Sequence, residues 1–249
     1  MATIVLVPGA WHGRWCWELL IPRLEALGHR VVAPELLAMG DDPTPLSEVT
    51  LARWADQVAA VVADQAEPVV LLGHSRGGVV VSEVAQRVPE SIGLLIYLAA
   101  FMLPDGMSLA AASAQGGGGA PSYLVPGDGG LSLTVKREAV GEIFYNTSPA
   151  ELVRVAQDRM GPEPSSSLAT PLKLSAERYG SVPRAYIECL QDKAVPIAVQ
   201  RQLQAQSPCR EVATLDTDHC PFFSAPDELA AAIDGLAAAG AASRGTSHA

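Results

Sequence analysis

Residues 67–81 read Glu67-Pro-Val-Val-Leu-Leu-Gly-His-Ser-Arg-Gly-Gly-Val-Val-Val81, and this stretch decides the fold. It begins with an uninterrupted apolar run, Val69 to Leu72, which is typical of a parallel strand buried on both faces. The run turns through Gly-His-Ser-Arg-Gly and continues into a helix-like segment. A serine at such a turn stands above the carboxyl edge of a sheet, and the turn needs small neighbours such as Gly73 and Gly77. The pattern predicts Ser75 as a nucleophile; an idle serine in a glycine-rich turn is the alternative.

Strands and helices alternate on both sides of this stretch, which predicts an α/β fold with about six parallel strands flanked by helices. The chain has 249 residues, 49% of them hydrophobic, which is enough for one domain with a sizeable core. The other predicted strands are Thr3–Val7, Arg30–Ala33, Ile92–Leu98, Pro183–Leu190 and Glu211–Leu215.

The alternation stops between residues 101 and 182, where the sequence predicts no strand. Two amphipathic pieces, Thr134–Tyr145 and Pro149–Met160, predict helices, and Gly116–Gly119 predicts a loop. Because a structureless loop of this length is unusual inside a compact domain, we expect a helical cap inserted over the site. The predicted divisions are a core of residues 1–102 and 181–238, a cap of residues 103–180 and a flexible tail of residues 239–249.

A serine hydroxyl needs a base, and the base needs an acid that fixes its tautomer. In this fold class the partners follow in the order serine, acid, histidine, on loops after later strands. His219 follows the last predicted strand and is the predicted base. The remaining histidines are set aside because of their positions in the chain: His12, His29, His74 and His248.

Asp192 is the predicted acid, because it directly follows the strand that ends at Leu190. Its rivals also lie near strand ends or within a strand: Asp105, Asp216, Asp218 and Glu188. The backbone N–H groups of Ala10 and Arg76 are the predicted donors to an oxyanion. The side chain of Arg76 receives no chemical role.

The predicted pocket is mostly apolar, and each candidate lining residue could equally belong to ordinary packing. The candidates are Trp11, His12, Phe101, Leu103, Tyr123, Leu124, Phe144, Cys220 and Phe222.

Composition excludes several other classes of protein. The net charge is −10 and no run of Lys or Arg occurs, which argues against a nucleic-acid partner. The four cysteines have no C-x-x-C spacing, so we predict no metal site, no disulfide framework and no cofactor. No leader-like or membrane-spanning apolar run is evident, so we expect a cytoplasmic protein without a membrane partner. A homodimer is one assembly to test.

At this point the chain resembles an α/β-hydrolase. More narrowly, it is similar to the small cap-bearing esterases, a group that includes methyl-salicylate-type methylesterases, hydroxynitrile lyases and bacterial pyrethroid hydrolases. The resemblance covers nearly the whole chain outside the cap. It rests on residues 5–13, 15–17, 72–78, 95–98, 186–188, 192–197, 218–219 and 224–226. Residues 190–204 are particularly similar to the pyrethroid hydrolases.

The resemblance implies Ser75, Asp192 and His219 as a catalytic triad, with Ala10 and Arg76 as oxyanion donors. One departure is Pro8, where many relatives have histidine. The lyases have a lysine directly after the catalytic histidine to hold cyanide, whereas this chain has Cys220.

We therefore expect a serine carboxylesterase whose partner is a small hydrophobic or aromatic ester. The alternatives are a lyase, a lactonase or an acyl transferase with the same triad, or a non-catalytic binding protein of this fold.

Overall fold

The computed structural model describes residues 1–115 and 121–245. The strands are β1 Thr3–Val7, β2 Arg30–Val32, β3 Val69–His74, β4 Ile92–Leu98, β5 Leu124–Gly127, β6 Ser132–Val135, β7 Glu163–Pro164, β8 Arg184–Cys189 and β9 Glu211–Leu215. The α-helices are α1 Ile21–Ala26, α2 Leu51–Ala63, α3 Gly77–Arg87, α4 Leu109–Gln115, α5 Arg137–Phe144, α6 Ala150–Arg159, α7 Ser165–Ala169, α8 Ile197–Gln206, α9 Pro221–Ser224 and α10 Pro226–Gly245.

The main sheet has six strands in the order β2-β1-β3-β4-β8-β9, and every neighbouring pair is parallel. This confirms the predicted α/β fold with about six parallel strands. The apolar run of residues 69–72 lies in β3, between β1 and β4, and all six residues of this strand are buried. Because the strands are parallel, their carboxyl ends lie at the same edge of the sheet. The loops that follow the strands therefore meet at that edge.

Two hydrophobic clusters cover the two faces of this sheet. Val70 and Leu72 of β3 belong to one cluster, whereas Val69 and Leu71 belong to the other. Successive side chains of a strand point to opposite faces, which explains why an unbroken apolar run is needed here.

Helix α2 shows how the sequence defines these elements. The Thr50 side chain caps the helix by accepting a hydrogen bond from the Arg53 amide at 3.1 Å. Leu51, Trp54 and Val58 then recur at helical spacing and are buried against the sheet cluster.

The segment between β4 and β8 contains both helices and strands. The prediction of no strand there is wrong: β5, β6 and β7 form a small antiparallel sheet, and Leu124 lies in β5. The predicted helix from Thr134 begins later, at Arg137, because Thr134 belongs to β6. The predicted loop at Gly116–Gly119 lies outside the described residues.

The sequence predicts a closing helix from Ser224 to Ala238, whereas α10 runs from Pro226 to Gly245. Alanine is the strongest helix former, and the alanine-rich sequence after residue 237 explains this extension. The predicted helix end at Ala238 is therefore wrong, whereas the flexibility of the tail stays a prediction, and residues 246–249 lie outside the described part. Across the described residues, no helix has both the length and the apolar character that a membrane span requires.

Candidate active site

Ser75 occupies the turn between β3 and α3, as the sequence predicts. Its φ angle is 52°, in the left-handed region that side chains rarely adopt. Backbone hydrogen bonds hold it there: the Ser75 amide donates to the Leu98 carbonyl, and the Phe101 amide donates to the Ser75 carbonyl, both at 3.1 Å. The serine is therefore fixed at the carboxyl edge of β3 and β4.

Two glycines make this turn possible by close backbone approach. A Cβ atom at Gly73 would lie 2.7 Å from the Gly77 carbonyl oxygen, and one at Gly77 would lie 2.7 Å from the Val7 carbonyl oxygen. No side chain fits at such distances, so β3 and α3 can meet β1 only with glycine at these positions.

His219 and Asp192 lie together at the same edge of the sheet. The Nδ1 atom of His219 is 2.7 Å from the Oδ2 atom of Asp192, and both side chains are almost completely buried. The Asp192 carboxylate is also oriented by the amides of Ala194 and Val195, each 2.8 Å from Oδ1, and by Gln200 Nε2, 3.2 Å from Oδ2.

The rival carboxylates have other partners. Asp105 accepts a hydrogen bond from the Leu174 amide, and Asp216 accepts one from Gln191. Asp218 contacts its own loop and residues 147–148, while Glu188 pairs with Arg201. Asp192 is therefore the carboxylate that geometry favours as the partner of His219.

His74 connects the serine turn with the His219 loop. Its ring lies 4.6 Å from the His219 ring, centroid to centroid, and its Nε2 atom is 2.8 Å from the His219 carbonyl oxygen. Burial lowers the pKa of His74 well below its usual value, so the neutral ring donates through Nε2–H. This contact was not predicted, because the sequence shows only that His74 is adjacent to Ser75 in the chain.

The loop after β1 passes directly beside Ser75. A Cβ atom at Gly9 would lie 3.0 Å from the Ser75 Cβ atom and 2.7 Å from His74 Nδ1. Ala10 follows Gly9 in this loop and is 6% exposed. Arg76 directly precedes the first turn of α3, where backbone N–H groups have no intrahelical partner.

The Arg76 side chain, to which sequence assigned no role, forms a buried ion pair with Glu163 of β7. Arg76 Nε is 2.9 Å from Glu163 Oε1, and the guanidinium lies over the Trp54 ring at 4.2 Å from its centroid. Burial raises the pKa of Glu163, and the facing guanidinium opposes that shift. No sequence pattern joins residues so distant in the chain.

His12 lies in the loop after β1 but is buried, and both ring nitrogens have protein partners. Nδ1 contacts the Ala10 carbonyl oxygen at 2.6 Å, and Nε2 contacts the Tyr145 hydroxyl. Burial lowers the pKa of His12 to about 3, so the neutral ring donates to Ala10 and accepts from Tyr145. His12 therefore stabilises the loop after β1 through its hydrogen bonds to Ala10 and Tyr145.

Three of the predicted pocket residues form an aromatic group next to His219. The Phe144 ring is 5.7 Å from the His219 ring, and it also contacts the rings of Trp11 at 5.5 Å and Tyr123 at 6.0 Å. These are centroid distances within the usual range for packed aromatic pairs.

The other predicted pocket residues are distributed around the site. Phe222 is fully buried between His74 and Trp17, and Cys220 is also fully buried. Leu103 belongs to the cluster on the other face of the sheet, and Phe101 packs against that cluster. Leu124 is half-buried in β5.

No group of three or more histidine, cysteine, aspartate or glutamate side chains suited to a metal ion occurs within residues 1–115 and 121–245. All four cysteines are free thiols.

Known proteins share this sequence and architecture. The chain is 34% identical to a pyrethroid hydrolase of Sphingobium wenxiniae, over 99% of this chain and 91% of the relative. It is also 34% identical to Methylesterase 7 of Arabidopsis thaliana, over 92% of this chain and 94% of the relative. Among solved structures, polyneuridine aldehyde esterase matches with a TM-score of 0.86 at 29% identity, covering 95% of this chain and 99% of that one.

A pyrethroid hydrolase from Sphingobium faniae matches with a TM-score of 0.85 at 33% identity, covering 96% of this chain and 98% of that one. Residues 4–232 match the alpha/beta hydrolase family, a span that includes the serine turn, Asp192 and His219. With the parallel sheet, the serine turn and these matches together, the chain belongs to the alpha/beta hydrolase family.

Proposed function

We propose that the protein is a serine carboxylesterase in which Ser75, Asp192 and His219 form the catalytic triad. The observation that carries this proposal is the buried 2.7 Å contact between His219 Nδ1 and Asp192 Oδ2 at the same sheet edge as the strained Ser75 turn. Such a contact fixes the tautomer of a histidine so that Nε2 can accept a proton.

In this mechanism Ser75 Oγ attacks the ester carbonyl carbon while His219 accepts the hydroxyl proton. His219 then delivers that proton to the departing alkoxide, which leaves as an alcohol. Asp192 stabilises the imidazolium that exists between these two transfers. Water attacks the acyl-enzyme by the same route and releases the carboxylic acid.

The amides of Ala10 and Arg76 are the proposed donors to the tetrahedral oxyanion. Each such donor contributes on the order of 10²–10³ in rate, because it is already oriented when the charge develops. The position of Gly9 supports this assignment, since a Cβ atom there would lie 3.0 Å from the Ser75 Cβ atom and the loop that contains Ala10 therefore runs beside the serine.

The proposed substrates are small hydrophobic or aromatic esters. The aromatic group of Trp11, Tyr123 and Phe144 beside His219 offers an apolar surface for such a substrate. Relatives named pyrethroid hydrolase and methylesterase are consistent with this class. Residues 103–180 are the proposed cap over the site.

A lyase that releases cyanide is the second candidate, and the residue after His219 argues against it. Cys220 is fully buried, and burial raises the pKa of its thiol well above the usual value. A neutral thiol gives a cyanide anion none of the charge stabilisation that the lysine of the lyases supplies.

Covalent labelling tests the esterase proposal. Intact mass is measured after a fluorophosphonate probe, with p-nitrophenyl acetate turnover alongside, on wild type, Ser75→Ala and the control Ser47→Ala, whose serine is exposed. We expect one adduct and full turnover in wild type and the control, and neither in Ser75→Ala. Labelling or turnover that survives in Ser75→Ala would refute the triad, and cyanide release from a cyanohydrin would favour the lyase.

A further inference from the structure

The backbone N–H, the backbone carbonyl and the indole N–H of Trp11 all form hydrogen bonds to the segment between β4 and β8, here called the inserted segment. The Trp11 amide donates to Glu163 Oε2 at 3.2 Å, and the indole N–H donates to the Leu133 carbonyl at 3.0 Å. The Trp11 carbonyl accepts from the Gly161 amide at 3.0 Å. The residue directly after Ala10 is therefore held by the segment between β4 and β8 rather than by the main sheet.

Trp11 also has a backbone conformation that needs such support. Its φ angle is 65°, in the left-handed region where a bulky side chain is a clear outlier. A conformation of this kind persists only where surrounding contacts determine it. The contacts to Glu163, Leu133 and Gly161 are those contacts, and they set the direction of the adjoining Ala10 peptide.

Glu163 reaches the second half of the site as well. Its carboxylate is fully buried and faces the Arg76 guanidinium, with Nε at 2.9 Å from Oε1 and Nη2 at 3.4 Å from Oε2. Arg76 Nη2 also donates to the Gly9 carbonyl at 3.0 Å. The Glu163 carboxylate thus contacts both Trp11, which follows Ala10, and Arg76, which follows Ser75. The Arg76 side chain in turn contacts Gly9.

We propose that the inserted segment positions the oxyanion hole: Glu163, with Gly161, holds the Ala10 loop in register with the Arg76 backbone. Glu163 is a positioning residue, since it acts through Trp11 and Arg76 and touches no substrate. This inference rests on the proposed serine-esterase mechanism, and it deepens that mechanism by making the inserted segment part of the catalytic geometry.

Two double variants test Glu163 without leaving a buried charge unpaired. Arg76→Met with Glu163→Gln keeps an oxygen that can accept the Trp11 amide, whereas Arg76→Met with Glu163→Leu removes it. Both keep the Arg76 backbone amide. Rates of p-nitrophenyl ester cleavage are divided by the number of sites that a fluorophosphonate titrates, so a loss of folded enzyme does not count.

We expect the leucine variant to have a kcat at least about 10-fold below that of the glutamine variant, with KM nearly unchanged. The oxyanion donors stabilise the transition state rather than the bound substrate, so a misplaced donor lowers kcat. Affinity for a trifluoromethyl ketone, which forms an oxyanion at the site, should fall by a similar factor. Equal kcat and equal ketone affinity in the two variants would mean that Glu163 serves stability alone.

Gly161 provides a second pair if the leucine variant does not fold. A Cβ at Gly161 meets nothing within 4 Å, and Met160 has an extended ψ of 123°, which a following proline requires. Gly161→Ala keeps the amide that donates to Trp11, and Gly161→Pro removes it. The proline variant should show the lower kcat per titrated site, and equal values would contradict the proposal.

Hydrogen exchange of the peptide that contains Trp11 separates this inference from the esterase proposal. We expect faster exchange of that peptide in the leucine variant than in the glutamine variant, whether or not the protein cleaves esters. Unchanged exchange would overturn the positioning role. Absence of labelling and turnover in wild type would instead overturn the esterase proposal and leave the exchange result to decide the positioning role.

Discussion

Asp192 differs from Asp216 in the partner of its carboxylate, and this difference predicts opposite outcomes for the same substitution. Asp192→Asn removes the charge that fixes the His219 tautomer, so kcat should fall by about 10⁴-fold with a small change in KM. Asp216 is exposed and contacts Gln191, so Asp216→Asn should keep full activity. Steady-state kinetics on one ester compare them; similar losses in both variants would contradict the triad.

His12 predicts a loss of stability in acid. Its folded pKa of about 3 lies below the unfolded value of about 6.5, so the unfolded chain binds the proton first. The stability contributed by the neutral ring is complete above the unfolded pKa, and it is lost progressively as the pH falls toward the folded pKa. At pH 5 the loss should be about 2 kcal/mol in the free energy of unfolding.

Urea titrations of wild type and His12→Asn at pH 7 and pH 5 measure this effect. Asparagine can donate to the Ala10 carbonyl without accepting a proton, so the variant should lose less stability between the two pH values. His74 is also buried with a lowered pKa, so some pH dependence will persist. An identical pH dependence in both proteins would mean that His12 is not responsible.

Individual residues were predictable from sequence only where chain order constrains them. Ser75, Asp192 and His219 each follow a recognisable strand, which predicts a common sheet edge. Glu163 has no such signal, because its partner Arg76 is 87 positions away and an ion pair leaves no periodic pattern. The burial of Arg76, which requires a facing carboxylate, is visible only in the structure.

At the scale of elements, substitution of a glycine by alanine should have opposite effects where a helix packs closely on a strand and where a helix is open to solvent. A Cβ at Gly77 would lie 2.7 Å from the Val7 carbonyl and 2.8 Å from the Pro8 carbonyl, so Gly77→Ala should destabilise the protein by roughly 1–3 kcal/mol. A Cβ at Gly235 in α10 meets nothing, so Gly235→Ala should stabilise it by about 0.5–1 kcal/mol.

Thermal unfolding followed by circular dichroism gives both signs in one experiment. A Gly77→Ala variant as stable as wild type would show that α3 can move away from β1 without cost, against the close packing described above.

Elements were predictable in proportion to their length and apolar content. The buried strands β3 and β4 are long and uniformly apolar, and both appear where expected. Strands β5 and β6 have four residues each, and β5 includes Pro126 and Gly127, which are poor strand formers. Their pairing depends on a turn through Asp128–Gly130 rather than on a pattern within either strand.

At the scale of the whole molecule, Asp218 joins the inserted segment to the core. Its carboxylate accepts from the Thr147 amide at 3.0 Å and the Ser148 hydroxyl at 2.8 Å, both in that segment. It also accepts from the Cys220 amide at 3.0 Å and the Ser224 hydroxyl at 2.8 Å in the core. Four donors converge on this buried carboxylate, and removing it leaves at least the buried Cys220 amide unsatisfied.

Asp218→Ala should therefore loosen the inserted segment before it unfolds the core. Limited trypsin digestion should cleave at Arg137 or Arg154 faster than in wild type, while the core stays resistant. Asp216→Asn is the matched control on the same loop and should leave cleavage unchanged. Cleavage spread evenly over core and insertion would indicate global destabilisation instead.

The homodimer, the cytoplasmic location and the boundaries of the predicted cap stay predictions. Assembly depends on a second copy and location depends on cellular signals, and neither is encoded in the hydrophobic pattern that specifies the fold. Composition alone still narrows the partners, since a net charge of −10 repels anionic polymers.

Gly9 has a consequence for how this protein can change over generations. A side chain there would collide with both His74 and Ser75, so the codon can drift only between synonyms for glycine. A selection for activity from a library randomised at this position should return glycine alone. New specificity must therefore arise elsewhere in the gene, at positions where a side chain can change without meeting the serine turn.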